Sequence, residues 1–353
     1  MICLRCGHDS KYKDRADRRC PACGAPFAFE PAKGDKLTDK AFQAAIDRVS
    51  ANGKLRWGVE HLYYDVARRA RPFPLLTTIA ALGIGAGVAA GSLTGKWQAF
   101  AAVLAITVAL IAWLLFERRE GDYVGLDRGK FDSMWARWRE THGTPPGLIV
   151  RAAAPPAPRT LAPDVADYSF DRAVICDRAR TVDLLLANNF HFENNCAVLA
   201  MNGYPLHAFD TVKKMLLRNP RLQVFALHDA TQFGCRMAER LAKGEEWFKR
   251  RARVIDVGLR PAQTLPLRKL CVRPTGPVAA GGGISALEAR WLSSYAVELA
   301  ALPPEQILKR LFRAINKYAQ DEEEFDYDRV DQDESFSTYG DAVDAEGDAD
   351  GFG

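Results

Sequence analysis

The sequence predicts a membrane-anchored α/β protein. Three observations carry that expectation. Two matched cysteine pairs stand within the first 24 residues, two long uncharged runs lie between positions 72 and 116, and short apolar segments alternate with helical ones from Arg172 onward. The 353 residues leave room for one full domain and a small module beside the uncharged runs. The net charge of +4 hides an asymmetry. Residues 321–353 hold fourteen Asp/Glu and a single basic residue, Arg329, leaving 47 Lys/Arg against 30 Asp/Glu and a charge of +17 in residues 1–320. A basic body suits anionic lipid or nucleic acid; positive-inside bias and solvated helix faces account for it equally well.

Cys3-Leu-Arg-Cys6-Gly7 and Cys20-Pro-Ala-Cys23-Gly24 are two CxxCG knuckles with thirteen residues between them. Each knuckle sets two thiolates on one side of a tight turn, and the glycine lets the backbone fold back. Two such pairs make a closed tetrahedral site of four thiolates. Residues 1–27 resemble a zinc ribbon, which implies a structural zinc on Cys3, Cys6, Cys20 and Cys23 within a module over 1–30. With all four positions filled by protein, no place remains for a reactive water. His8 reads as a surface residue. Lys11, Lys13, Arg15, Arg18 and Arg19 follow the first knuckle and are candidates for nucleic-acid phosphate; a protein partner is the alternative. Cys176, Cys196, Cys235 and Cys271 are scattered and read as reduced, mostly buried thiols.

Residues 36–71 read as a helical segment. Thr38 caps a helix that runs through Ser50 with Phe42, Ala45, Ile46 and Val49 on its apolar face, and a second helix spans Val59 to Arg69. A pair with a basic end is compatible with a helix-turn-helix or winged-helix unit.

Residues 72–116 read as a hairpin of two transmembrane helices. Neither Pro72–Gly95 nor Trp97–Phe116 contains a charge, and each has the length a membrane crossing needs. Gly83, Gly87 and Gly91 share one helix face, as do Ala101, Ala105 and Ala109, which suits close helix packing or a homo-oligomer through the glycine face. Arg68, Arg69, Arg71, Arg118 and Arg119 flank the runs, whereas the turn offers only Lys96. The expected localisation is the inner membrane, multi-pass, with the lipid bilayer as partner and both termini cytoplasmic.

Residues 117–165 read as an amphipathic helix, Phe131 to His142, followed by a Pro-rich linker. Trp135 and Trp138 in that helix suit either the membrane interface or packing on the next domain. From 166 to 262 the alternation predicts a parallel sheet with helices on its faces. Strands are expected at Ala173–Cys176, Cys196–Met201, Leu222–Leu227 and Val254–Val257, and helices at Ala179–Asn188, 207–218 and Gln232–Ala242. Function in such sheets sits beyond the strands' carboxyl ends, where Asp177, Asn202, Gly203, His228 and Asp229 fall.

His228-Asp-Ala-Thr-Gln-Phe-Gly234 after an apolar strand resembles the DxDxxG turn of Toprim domains. Asp177 and Asn202-Gly203-Tyr-Pro205 stand at that family's strand-Glu and its Gly-containing turn. The resemblance covers about residues 170–260. It implies a divalent ion, magnesium or manganese, held by Asp177 and Asp229 with His228 nearby, for nuclease or phosphodiester-transfer chemistry. Asp177 replaces the usual Glu and Thr231 the second Asp, so two carboxylates stand where the family has three. His61-Leu-Tyr-Tyr64 is similar to the segment bearing the nucleophilic tyrosine in the A subunit of topoisomerase VI, which implies Tyr63 or Tyr64 as a nucleophile; by themselves the two residues read as packing.

Residues 263–320 read as C-terminal helices, Ser285–Ala301 and Pro304–Tyr318, and 321–353 as a disordered acidic tail. No Walker lysine motif, GxSxG or HExxH occurs. The leading functional expectation is a membrane-tethered zinc-ribbon protein whose Toprim-like domain binds nucleic acid or a protein partner, with weak or no catalysis. The alternatives are a metal-dependent nuclease using Asp177 and Asp229, and a structural subunit of a membrane complex.

Overall fold

The computed structural model describes residues 1–69, 97–117, 123–150 and 170–318, apart from positions 36, 207 and 220, with scattered positions between 82 and 92. The Pro-rich linker and the acidic tail lie outside the described residues. The chain divides into two units, Met1–Gln306 and Ile307–Gly353. Of the second, 307–318 are described and helical.

The centre of the first unit is a four-stranded parallel sheet. Its strands are β1 (Arg172–Cys176), β2 (Cys196–Ala200), β3 (Gln223–Leu227) and β4 (Arg253–Asp256), in the order β2-β1-β3-β4. Arg172 stands level with Cys196 on one side and Gln223 on the other. β2 and β3 are buried along their whole length, which is why they read as unbroken apolar runs rather than alternating ones. Ile175, Leu199, Val224 and Ala226 pack with Leu216, Met237, Leu241 and Phe248 in one core cluster. Between β2 and β3 the chain crosses back past β1. The direction of winding therefore reverses between β1 and β3, the place where open α/β sheets leave a crevice.

Four longer helices precede β1. These are α1 (Asp39–Val49), α2 (Val59–Arg69), α3 (Trp97–Glu117) and α4 (Arg128–His142), ahead of α5 (Ala179–Ala187) after β1. Thr38 caps α1 by accepting from the Ala41 amide at 3.2 Å. Trp138 packs tilted against Phe42 with centroids 4.8 Å apart and Trp135 lies edge-on to Trp57 at 6.2 Å. Both tryptophans are thus buried in an aromatic layer of the chain's front half. Asp39 is fully buried and ties that layer to the N-terminal module: its carboxylate accepts from the Ala28 and Phe29 amides at 3.0 and 2.9 Å and meets His142 Nε2 at 2.6 Å.

Two elements differ from expectation. The helix expected over Gln232–Ala242 is broken into a turn, Gln232–Cys235, and α7 (Met237–Lys243), after α6 (Phe209–Arg218). Gly234 lies in the first of these, against the Asp229 carbonyl and the His228 ring, where a Cβ would collide. The helix expected over Ser285–Ala301 is opened by a capping box between Ser285 and Glu288 and stops early, as α8 (Ala286–Leu292). Ala296 and Val297 instead make extended bridges to Val272 and Ala230, and Leu299–Ala301 is a 3-10 turn.

The transmembrane expectation is corrected. Among the described residues no helix is long and apolar enough to cross a membrane. The hairpin over 72–116 and the multi-pass inner-membrane localisation fall with that finding. Uncharged is not apolar: Pro72–Gly95 includes two prolines, three threonines, a serine and five glycines of small hydrophobic value, and α3 includes Gln98 and Thr107. Residues 70–81, Gly87 and Gly91 lie outside the described residues. Gly83 is described, and it abuts the Thr107 side chain of α3 so closely that a Cβ would collide with it.

Candidate functional site

The N-terminal module brings its four cysteines together. In each knuckle the glycine amide donates to the first cysteine's carbonyl, Gly7 to Cys3 and Gly24 to Cys20, both at 2.9 Å. Gly7 and Gly24 have φ of 73° and 69°, the left-handed region that glycine enters without strain. The four sulfurs lie within 4.8 Å of one another, with Cys3 and Cys23 Sγ 3.7 Å apart and Cys6 and Cys20 Sγ 3.6 Å apart. Disulfide sulfurs stand at about 2.05 Å; a tetrahedral ion with metal–sulfur bonds near 2.3 Å spaces its ligands by about 3.8 Å. The spacing fits a metal. Among the described residues this is the single group of three or more clustered ligands that could hold one. Of the basic candidates nearby, Arg15 is buried and committed to Glu30 by a bidentate pair at 2.7 and 3.0 Å, whereas Lys11, Lys13 and Arg19 are exposed. The scattered cysteines Cys176, Cys196, Cys235 and Cys271 are buried thiols outside any disulfide.

At the sheet, Asp177 follows β1 and His228-Asp229 follow β3, so neighbouring strand ends bring them together. The Asp229 amide donates to Asp177 Oδ2 at 2.9 Å. Asp229 itself is 1% exposed and both its oxygens are engaged: Oδ1 accepts from the Leu299 amide at 2.7 Å and Oδ2 from Arg178 Nε at 2.9 Å. His228 is fully buried; its Nδ1 faces the Asp229 carbonyl at 2.8 Å and its Nε2 faces Asp256 Oδ1 at 2.9 Å. Asp256 also receives Arg260 Nε at 2.8 Å. Burial acts to raise the Asp256 carboxyl, but His228 and Arg260 outweigh it and hold the group below the usual range.

Tyr63 and Tyr64 are buried. The Tyr63 hydroxyl donates to the Leu126 carbonyl at 2.8 Å and the Tyr64 hydroxyl to Glu298 Oε2 at 3.0 Å. Burial, followed by Glu298, pushes the Tyr64 phenol well above its ordinary value, so the group is held as a neutral donor. Glu298 also pairs with Arg180 at 2.8 Å.

Burial, and then the Asp229 carboxylate, push Asp177 up to about 7. Its Oδ1 is buried without a hydrogen-bond partner. An unfolded aspartate releases its proton near pH 4, so between about pH 4 and pH 7 the folded chain binds more protons than the unfolded one. Asp177 therefore costs stability progressively as pH rises through that window. Asp177→Asn removes the titration, and its stability relative to the wild type should improve between pH 5 and pH 8 by on the order of 2 kcal/mol. Urea denaturation at the two pH values checks this; an unchanged difference would mean that Asp177 is already ionised at pH 5.

Outside the carboxyl ends of β1 and β3 lies a cavity of about 640 Å³ whose lining includes Arg178, Phe233, Arg236, Arg240, Arg273 and Glu298. Arg240 lies over the Phe233 ring at 5.3 Å and Arg273 over the Tyr123 ring at 5.3 Å. Arg236 donates through a terminal nitrogen to the Ala279 carbonyl at 2.9 Å, while its Nε is buried without a partner. Sequence reasoning missed this constellation. The signal available was slight: Arg236 and Arg240 stand four apart and share a helix face, but Arg178 and Arg273 come from distant segments. No family model matches the chain, and no curated protein or solved structure matches it.

Proposed function

We propose that this protein binds single-stranded nucleic acid in the arginine-lined cavity, and that its four N-terminal cysteines hold zinc as a structural staple. The observation that carries the reading is the convergence of Arg236, Arg240 and Arg273, beside the Asp229-paired Arg178, on one cavity at the point where the sheet reverses its winding. Guanidinium groups present several donors in a plane that matches phosphate oxygens. Phe233 is 47% exposed in the same wall, and an exposed aromatic beside arginines offers a stacking face that any base can use. The resemblance to Toprim domains supports a nucleic-acid ligand on the same edge of the sheet.

Metal-dependent cleavage is not part of the proposal. The two carboxylates that would hold magnesium do not fit that task as they stand. Both Asp229 oxygens already accept hydrogen bonds, and Arg178 supplies there the positive charge that a divalent ion would bring. For the thiolates, Cys₄ sets accept zinc or iron; the knuckle spacing and the ribbon resemblance favour zinc.

The test is anisotropy of a labelled single strand against the full-length chain over a series of salt concentrations. Each phosphate contact contributes a slope of about −0.7 in log K against log salt for single strands. Arg240→Gln with Arg273→Gln should weaken binding at least tenfold and flatten the slope by about 1.4. Unchanged affinity and slope in that double variant would overturn the reading.

A further inference from the structure

The charge gathered in the cavity exceeds what a strand passing through it supplies. Arg178 is spent on Asp229, and Glu298 is offset by Arg180. Among the described residues Arg236, Arg240 and Arg273 have no carboxylate partner, so three cations face one bounded space. An internal phosphodiester brings a single negative charge. A phosphate monoester brings about −1.5 to −2 near neutral pH, with three acceptor oxygens. The volume, about 640 Å³, suits one nucleotide unit rather than an extended track, and Phe233 under Arg240 supplies a face for its base.

We infer that the cavity takes a nucleotide bearing a terminal phosphate monoester. This rests on the nucleic-acid reading above and narrows it to strand ends. The same chemistry comes from two sources, the phosphorylated end of a strand or a free nucleotide. The guanidinium of Arg236 and those of Arg240 and Arg273 would grip the phosphate, and Phe233 would stack on the base.

The experiment compares three labelled oligonucleotides of one sequence on the full-length chain, with a 5′-phosphate, a 3′-phosphate or hydroxyls at both ends. Free nucleoside monophosphate and triphosphate serve as competitors. One phosphorylated end should bind about tenfold more tightly than the hydroxyl-ended strand, the order expected for one or two charge-assisted hydrogen bonds. That advantage should vanish in Arg236→Gln. Because Arg236 also holds the Ala279 carbonyl, the exposed Arg273→Gln serves as a second variant that leaves the fold intact and should cut the same advantage several-fold. Equal affinity for all three strands would overturn the inference and leave the nucleic-acid reading standing. Binding of free nucleotide with no binding of any strand would uphold the phosphate pocket and overturn the polymer reading. Binding of none of these probes would overturn both.

Discussion

Cys20→Ser should release the metal and unfold residues 1–27 while the sheet domain stays folded. The module has almost no core of its own. Cys3, Cys20 and Phe27 are its buried cluster, with Met1, Cys23 and Ala25 packed against them. A segment this short cannot offset its conformational entropy by burial. The metal has to supply the difference, and structural zinc binds such sites with about 10–16 kcal/mol near neutral pH. One serine removes a thiolate from a closed set of four and forfeits most of that. Elemental analysis should find one zinc per wild-type chain and close to none in the variant. Limited proteolysis should then cut at Lys11 or Lys13 in the variant first. A variant that retains a full equivalent of metal, or a wild type that binds none, would defeat the four-thiolate assignment. Iron in place of zinc would correct the metal and leave the site.

Asp229→Ala should destabilise the sheet domain by about 1–3 kcal/mol, the cost of a buried amide left unsatisfied. The lost carboxylate leaves Arg178 without its counter-charge and the Leu299 amide without its acceptor, both at the place where the 296–301 segment is bridged to Ala230. Asp229→Asn keeps an acceptor for Leu299 and should cost less than half as much. The pair of variants separates two roles for this residue. If Asp229 is an internal clamp, the cost tracks those two hydrogen bonds and magnesium leaves the melting temperature of the wild type unchanged. If it is a metal ligand, magnesium raises the wild-type melting temperature by mass action and Asp229→Asn abolishes the rise. Thermal denaturation with and without magnesium on both proteins decides between them, and the first outcome is expected.

How much of this was legible in the sequence depends on whether the signal was local. The knuckles were, because a CxxCG turn carries its ligands, its glycine and its spacing within five residues. So were β1 to β3, buried on both faces and therefore unbroken apolar runs, and the Thr38 cap. The clustering of Asp177 with Asp229 followed from strand ends alone, once the first and third strands were placed side by side. The arginine cavity was not legible, because its walls come from positions 178, 236–240 and 273, and no periodicity joins them. Glu298 was hidden for a related reason. Helical periodicity ran through Ser285–Ala301, but backbone partners at Ala230 and Val272, with the Asp229 carboxylate, drew the second half of that segment into extended pairing. Reading the uncharged runs as membrane spans failed because absence of charge was taken for apolarity, and only the second of these enters free energy by area.

The joint between α2 and the turn at Leu299–Ala301 has a consequence for the order in which the protein can be made. Tyr64 and Glu298 are separated by 234 positions, and Arg68 reaches the Ala301 carbonyl across 233. A ribosome adding roughly 5–20 residues per second emits Glu298 some 10–50 s after Tyr64. Throughout that interval the part of α2 that Glu298 and Ala301 cover, around Tyr64 and Arg68, faces water or a chaperone, although the helix itself and its neighbour α1 are already synthesised. The front half of this chain is therefore among the first parts translated and among the last to be finished.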